Sequence, residues 1–159
     1  MPSHEPIGGP KWQHGATPFA LPDVAFEAIL FLDEAEWRGA PAVQLRLSRG
    51  GADAKVAREF DLNTKEFIPA SEGGFEIPEC KSNFCYKDRD TLLIGGAFGE
   101  DEMTNSGYPM TAYEWKRGTP LAGAVQIYEG RKEDVSVDAY TYLDRGVRYT
   151  MHRRAITFY

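Results

Sequence analysis

Six serines and three histidines are the residues of this 159-residue chain that could supply a hydrolytic nucleophile and its base. A serine hydroxyl becomes a nucleophile when a sharp strand-to-helix turn exposes it and a nearby imidazole takes its proton. No serine lies in a Gly-x-Ser-x-Gly pattern; the six are Ser3, Ser48, Ser71, Ser82, Ser106 and Ser136. His4 and His14 lie in a loose N-terminal lead, and two arginines directly follow His152. The sequence therefore predicts no catalytic residue in this chain.

Metal binding has equally little support in the sequence. A zinc site needs three or four converging ligands, whereas His4 and His14 are ten positions apart without a nearby carboxylate cluster. The run Glu100, Asp101 and Glu102 lacks the alternating acids and the glycine of a calcium-binding EF-hand loop. We interpret these three acids as solvated loop residues, and we expect neither a metal nor a cofactor.

The two cysteines, Cys80 and Cys85, do not have the Cys-x-x-Cys spacing of metal or redox sites. If both lie on one strand, their odd separation points the two side chains to opposite faces of a sheet. We therefore expect two unpaired thiols, as in a cytoplasmic protein.

Composition points to one soluble domain. Hydrophobic residues make up 42% of the chain and charged residues 26%, and 16 glycines and 10 prolines favour an all-β fold with many turns. The net charge of −6 argues against nucleic acid or an anionic membrane as a partner. The basic cluster around residues 145–154 is interpreted as a solvated surface. No signal peptide or bilayer-length apolar run is visible, so we expect a cytoplasmic location.

The distribution of elements divides the chain near residue 40. Residues 1–40 form an unassigned lead, within which residues 23–37 fit either a short helix or a buried strand. Residues 41–159 read as short strands joined by polar turns, which is typical of a meander, a sandwich or a barrel. The core between such sheets is where we expect most of the aromatic side chains.

An internal repeat narrows the choice of fold. The stretch "AREFDLNTK" begins at Ala57, and "AYEWKRGTP" begins at Ala112, 55 positions later (112 − 57). Both read Ala-x-Glu-aromatic with a threonine four places after the aromatic residue, and both have strand-like runs on either side. A four-strand unit with a period near the roughly 40–50 residues of a propeller blade is indicated.

The longest loop of the second unit is the candidate binding site. In an antiparallel meander, alternate connections project from opposite ends of the sheet. The short turns "KDRD" and "KRGT" then share one end, and the loop "GAFGEDEMTNSGYP" shares the other with the segments "SEGGFEIPE" and "EGRKEDVS". Because long loops gathered at one end usually carry contacts, we predict Asp101, Asn105 and Tyr108 as contact residues.

Several consecutive segments resemble one protein family. "LSRGGADAKVAREFDLNTKEFI", "DRDTLLIGGAFG", "SGYPMTAYEWKRGTPLAGA" and "YEGRKEDVSVDAY" are similar to the N-terminal β-propeller of prolyl oligopeptidase-family serine peptidases. The resemblance covers about residues 43–159. It implies an all-β chain with about two to three four-stranded antiparallel blades of a propeller that normally has seven. In the family this propeller caps an α/β-hydrolase domain and restricts access to short peptides.

The resemblance implies a non-catalytic, substrate-gating segment of a serine endopeptidase, with an α/β-hydrolase peptidase domain as its partner. The hydrolase motif of the family has no counterpart here, so no catalytic residue is carried over. Two alternatives stay open: a free-standing module that self-associates through open sheets and binds peptide on its long loops, and a degenerate fragment without function.

Overall fold

The computed structural model describes residues 24–29, 42–49, 52–96 and 98–159. Eleven strands and three short 3-10 turns occupy this part of the chain, and the fold is all-β, as predicted. The strands are β1 (Val24–Ile29), β2 (Ala42–Arg49), β3 (Lys55–Asp61), β4 (Glu66–Phe67), β5 (Glu76–Cys80), β6 (Ser82–Asp88), β7 (Thr91–Gly96), β8 (Thr111–Lys116), β9 (Val125–Glu129), β10 (Ser136–Asp144) and β11 (Val147–Ala155). The 3-10 turns are Ala70–Glu72, Glu100–Glu102 and Leu121–Gly123. No helix in these ranges is long and apolar enough to cross a membrane.

The strands form three antiparallel sheets that follow one another along the chain. The first sheet has the order β1-β2-β3-β4, with β5 also paired to β3. The second has the order β6-β7-β8-β9, and the third is the hairpin β10-β11. Strand β10 contacts β6, β7 and β8, so the second sheet has the third sheet packed against it.

The predicted repeat corresponds to this sheet order. Ala57 lies in β3 and Ala112 in β8, and each strand is third in its own sheet. Ala57 packs in a cluster with Leu92 and Ile94 of the second sheet, whereas Ala112 packs with Val137 of the third. Each repeated alanine thus faces the sheet that follows it, where a small side chain permits close packing between sheets.

The N-terminal helix considered for residues 23–37 is not present in the described part of that segment. Val24–Ile29 is a strand, paired along its whole length with β2 from Val24 opposite Arg49 to Ile29 opposite Gln44. Pairing with β2 satisfies the backbone groups that a helix would satisfy internally, so the tertiary context decides between two locally similar options. Residues 30–37 lie outside the described residues.

The segment "SEGGFEIPE" was predicted as a loop, and this prediction was wrong. Glu76–Cys80 forms β5 and extends the first sheet, with Ile77 fully buried opposite Ala57. Residues 68–75 interrupt the fourth-strand position between β4 and β5. The interruption needs glycine: Gly73 has φ 85°, and a Cβ at Gly74 would lie 2.0 Å from the carbonyl oxygen of Ile68. The connection to β6 is then Lys81 alone.

A buried carboxylate joins the first sheet to the second. Glu59 in β3 is fully buried, and both of its oxygens accept hydrogen bonds from Arg117 at 2.7 and 2.8 Å. The hydroxyl of Tyr86 donates to Oε1 at 2.8 Å, and the backbone N–H of Phe75 donates to Oε2 at 3.1 Å. Burial, followed by the charge of Glu59, raises the pKa of Tyr86, so this phenol stays protonated and donates.

Neither Cys80 nor Cys85 forms a disulfide, and the two side chains lie on opposite sides of the second sheet. They lie on different strands, Cys80 at the end of β5 and Cys85 within β6. Cys80 packs in the core between the first two sheets, whereas Sγ of Cys85 is 3.5 Å from Oγ1 of Thr141 in the third sheet.

The outer face of the third sheet exposes aromatic side chains that we expected in the core. Tyr140, Tyr142 and Tyr149 are each about 40% exposed, and the last two rings stack at 5.2 Å across the hairpin. The opposite face of β10 is buried through Val137 and Ala139. Within the described ranges, β11 pairs with β10 on one side only, so its other edge has unpaired backbone groups.

We predict that Arg117→Met lowers the free energy of unfolding by about 3–5 kcal/mol, because it leaves the carboxylate of Glu59 buried without its counter-ion. The double variant Glu59→Gln/Arg117→Met should recover part of the loss. Urea denaturation monitored by circular dichroism measures both. Arg89→Met is the control, since Arg89 is exposed and only its backbone oxygen binds Arg117. Equal effects of Arg117→Met and Arg89→Met would contradict the assignment.

We also predict that the purified chain self-associates at micromolar concentration. The contact should involve the free edge of β11 and the outer face of the third sheet, which exposes Tyr140, Tyr142 and Tyr149. Replacing Tyr142 and Tyr149 with lysine should shift the population toward monomer, because charged side chains oppose burial of this face. Sedimentation velocity and light scattering report the mass. A monodisperse monomer with a cooperative thermal transition would show that the exposed face needs no partner.

Candidate functional site

The short turns of the second sheet lie together at one end, as the sequence predicted. The backbone N–H of Arg117, in the β8–β9 turn, donates to the carbonyl oxygen of Asp90 in the β6–β7 turn at 2.8 Å. Its guanidinium also donates to the carbonyl oxygen of Arg89. The loop between β7 and β8 leaves from the opposite end of the sheet. We call residues 98–110 the long loop.

The long loop is held in one conformation by a buried threonine. The hydroxyl of Thr104 donates to the carbonyl oxygen of Val135 at 2.9 Å, and its N–H donates to the carbonyl oxygen of Tyr108 at 2.9 Å. Gly107 closes this turn with φ 74°, a conformation that favours glycine, and donates to the carbonyl oxygen of Thr104. A bridge between Met103 and Pro109 pairs the two arms of the loop.

The connection from β9 to β10 packs against the long loop, as the sequence predicted. The N–H of Asn105 donates to the carbonyl oxygen of Lys132 at 2.8 Å, and Nζ of Lys132 donates to the carbonyl oxygen of Met103 at 3.0 Å. Asp134 fixes the connection itself: it accepts from the N–H of Arg131 at 2.6 Å and from Nε of Arg154 at 2.7 Å. The hydrogen bond from Arg154 lowers the pKa of Asp134.

The three predicted contact residues all lie on this loop but have different surroundings. Asp101 and Asn105 are exposed. Tyr108 is half-buried, with Nζ of Lys81 4.6 Å from its ring centre, and Lys81 also lies 3.7 Å from a carboxylate oxygen of Asp53. These contacts place the connections of both sheets at the same end. A contact role for Asp101, Asn105 and Tyr108 stays a prediction.

Glu102 is not the solvated acid that the sequence suggested. Its Oε1 accepts from the hydroxyl of Tyr113 at 3.1 Å, and its Oε2 is shielded from water without a hydrogen-bond partner. Burial, then the hydrogen bond to Glu102, raises the pKa of Tyr113. The alternation of side chains along β8 predicts that Tyr113 and Trp115 share one face of the strand. It does not predict the partner of Tyr113, because Glu102 lies eleven positions earlier, in the long loop. Sequence spacing alone therefore gave no signal for this pair.

The described serines and the described histidine lie on different elements. Ser82 and Ser136 begin strands β6 and β10, and the ring of His152 lies 5.5 Å from the ring of Tyr128. No group of three or more potential metal ligands occurs in the ranges that the structure describes. What the site offers is a fixed loop with exposed polar side chains and partly buried aromatic ones.

We predict that acid loosens this end of the sheets before it unfolds the chain. Because the pKa of Asp134 is lower in the folded state, its contribution is present above the unfolded value of about 3.9 and is lost as pH falls through the folded pKa. Asp134→Asn should reduce the dependence of the melting temperature on pH below about pH 4. Calorimetry at several pH values tests this, with exposed Asp144→Asn as control. Identical pH profiles for Asp134→Asn and the parent chain would contradict it.

Comparison with known proteins finds longer peptidases. No protein-family model matches the chain. It is 38% identical over 107 residues to "Uncharacterized peptidase y4nA" of Sinorhizobium fredii, a match covering 67% of this chain and 14% of that protein. It is 35% identical over 103 residues to "Uncharacterized peptidase RP174" of Rickettsia prowazekii, covering 60% of this chain and 14% of the relative. The chain thus spans about one seventh of these relatives.

A solved structure gives the same result in three dimensions. The post-proline cleaving enzyme from Rickettsia typhi superposes with a TM-score of 0.61 at 27% sequence identity, over 76% of this chain and 18% of that enzyme. The sequence comparison and the structural comparison thus both find peptidases. The chain is similar to one part of longer peptidases, and the resemblance to the prolyl oligopeptidase family is confirmed.

Proposed function

We propose that this chain is a non-catalytic β-propeller segment that helps to gate a prolyl oligopeptidase-like serine endopeptidase. The observation that carries the proposal is the superposition of 76% of the chain on a part of a post-proline cleaving enzyme. The two consecutive sheets with corresponding strand orders, followed by a third hairpin, supply the repeated unit that a propeller requires. The partner in this proposal is an α/β-hydrolase peptidase domain.

Gating needs a wall that holds its shape and a rim that contacts substrate or the neighbouring domain. The wall is the stack of sheets, in which Leu92, Leu93 and Ile94 of β7 are all fully buried. The rim is the long loop, whose backbone is fixed by Thr104 while the side chains of Asp101 and Asn105 stay exposed. A fixed rim discriminates by size and polarity, because a mobile one would adapt to any peptide.

The coding DNA tests the proposal directly. An in-frame extension beyond the codon for Tyr159, encoding a Gly-x-Ser-x-Gly motif followed by an aspartate and a histidine, is expected. A stop codon at that point, with no hydrolase reading frame nearby, would contradict the proposal and favour the free-standing module.

We predict that the 159-residue chain alone does not hydrolyse a proline-containing chromogenic peptide, because its sequence contains no Gly-x-Ser-x-Gly motif to supply an activated serine. In the full reading frame, Asp101→Ala/Asn105→Ala should raise KM for a long peptide about two- to fivefold, the effect of losing one or two exposed hydrogen bonds. Asp144→Ala/Asn63→Ala is the matched control, since both residues are exposed away from the long loop. A KM unchanged by the first pair but raised by the second would refute the role of the loop.

A further inference from the structure

A groove lies between the first and second sheets and extends from the β8–β9 connection toward the long loop. Two adjoining cavities of about 510 and 460 Å³ share Pro78 of β5 and Leu121 of the β8–β9 connection. We call them together the rim groove. At one end it is lined by Ala70, Gly74, Glu76, Trp115, Gly118, Thr119 and Pro120, and at the other by Phe98, Glu102, Tyr113, Ala122 and Ala124.

The walls of the rim groove are apolar and preformed. The indole N–H of Trp115 donates to the carbonyl oxygen of Thr119 at 2.8 Å, so its donor is already satisfied within the protein. Phe98, Tyr113 and Leu121 pack against the core between the two sheets. A ligand here meets fixed aromatic and proline surfaces without having to order them first.

One charge in the rim groove lacks a counter-ion among the described residues. The lining contains two charged side chains, Glu76 and Glu102, and both are acidic. Glu76 pairs with Arg58 at 3.0 Å. Glu102 receives only the neutral hydroxyl of Tyr113, and its second oxygen is shielded from water without a partner. A cation placed beside Glu102 would supply the counter-ion that the described residues do not.

We propose that the rim groove binds an extended apolar peptide segment that places a primary ammonium group beside Glu102. Two parts of such a peptide fit two parts of the groove. The ammonium group lies beside the carboxylate of Glu102, and the apolar stem covers Leu121, Tyr113 and Phe98. A lysine side chain has this combination, since its four-methylene stem ends in a primary ammonium group. The inference rests on the groove of this chain alone and holds whether or not the chain gates a peptidase.

Titration calorimetry with three tripeptides tests the proposal on the 159-residue chain. Acetyl-Leu-Ala-Lys-amide presents a side-chain ammonium, and Leu-Ala-norleucine-amide presents an N-terminal one. Acetyl-Leu-Ala-norleucine-amide has a similar shape without charge. We expect acetyl-Leu-Ala-Lys-amide to bind about tenfold or more tightly than the neutral peptide. Tighter binding of Leu-Ala-norleucine-amide than of acetyl-Leu-Ala-Lys-amide would overturn the assignment to a lysine side chain. Equal binding of all three, or no binding, overturns the proposal.

Glu102→Gln is the decisive variant, because glutamine keeps an acceptor for Tyr113 while removing the charge. It should reduce the preference for the lysine peptide over the neutral peptide to within about twofold. Glu66→Gln makes the same charge change at an exposed position of β4 that does not line the rim groove, and it should leave this preference unchanged. A preference that survives Glu102→Gln overturns the proposal. The proposal is also overturned if Glu102→Gln converts an oligomer of the chain into a monomer, because the rim groove would then be occupied by a second copy of the chain.

Discussion

The buried carboxylate of Glu59 is the constraint on which the arrangement of the first two sheets depends. A fully buried charge is tolerated only when its partners are in place. Those partners come from three separate segments: Arg117 from the β8–β9 turn, Tyr86 from β6, and the N–H of Phe75 from the interruption between β4 and β5. Sliding one sheet past the other by a single residue would break the contacts from Arg117 and Tyr86, which both belong to the second sheet. The contacts of Glu59 therefore fix the register between the sheets as well as their distance.

The sequence repeat places a glutamate at equivalent positions in two sheets, but the two glutamates bind different partners. Glu114 in β8 is the counterpart of Glu59, yet it pairs with Lys87 at 2.6 Å and Lys116 at 3.3 Å, both from its own sheet. The hydrogen bond from Lys87 is the main cause of its lowered pKa. Glu59 is reached by Arg117 from the turn between the third and fourth strands of the next sheet. The sheet that follows Glu114 is the third sheet, whose described part is a two-stranded hairpin without such a turn. The same backbone position thus serves a buried contact in one unit and a surface one in the next.

Local signals in the sequence were enough for the strands, the short turns and the repeat, because alternation and turn residues act over a few positions. They were not enough where the outcome depends on distant partners. Strand β5 was missed because Pro69, Gly73 and Gly74 break the pattern of the fourth strand, and only pairing with β3 restores it. Glu102 was misread because its partner Tyr113 lies eleven positions away, on the next strand. The strand Val24–Ile29 was left ambiguous because its pairing with β2 decides its conformation.

The composition of the third sheet links the fold to the proposed role. Strand β7 lies between two neighbours, and its successive residues Leu92, Leu93 and Ile94 are buried on both faces. Strand β10 has a similar two-sided apolar character, with Val137 and Ala139 covered by the second sheet, whereas Tyr140 and Tyr142 face outward and remain about 40% exposed. Side chains of this kind on both faces are typical of a sheet that is packed on both sides. The outer face of the hairpin therefore has the composition of an internal layer, which supports a role for the chain as one part of a larger stack of sheets.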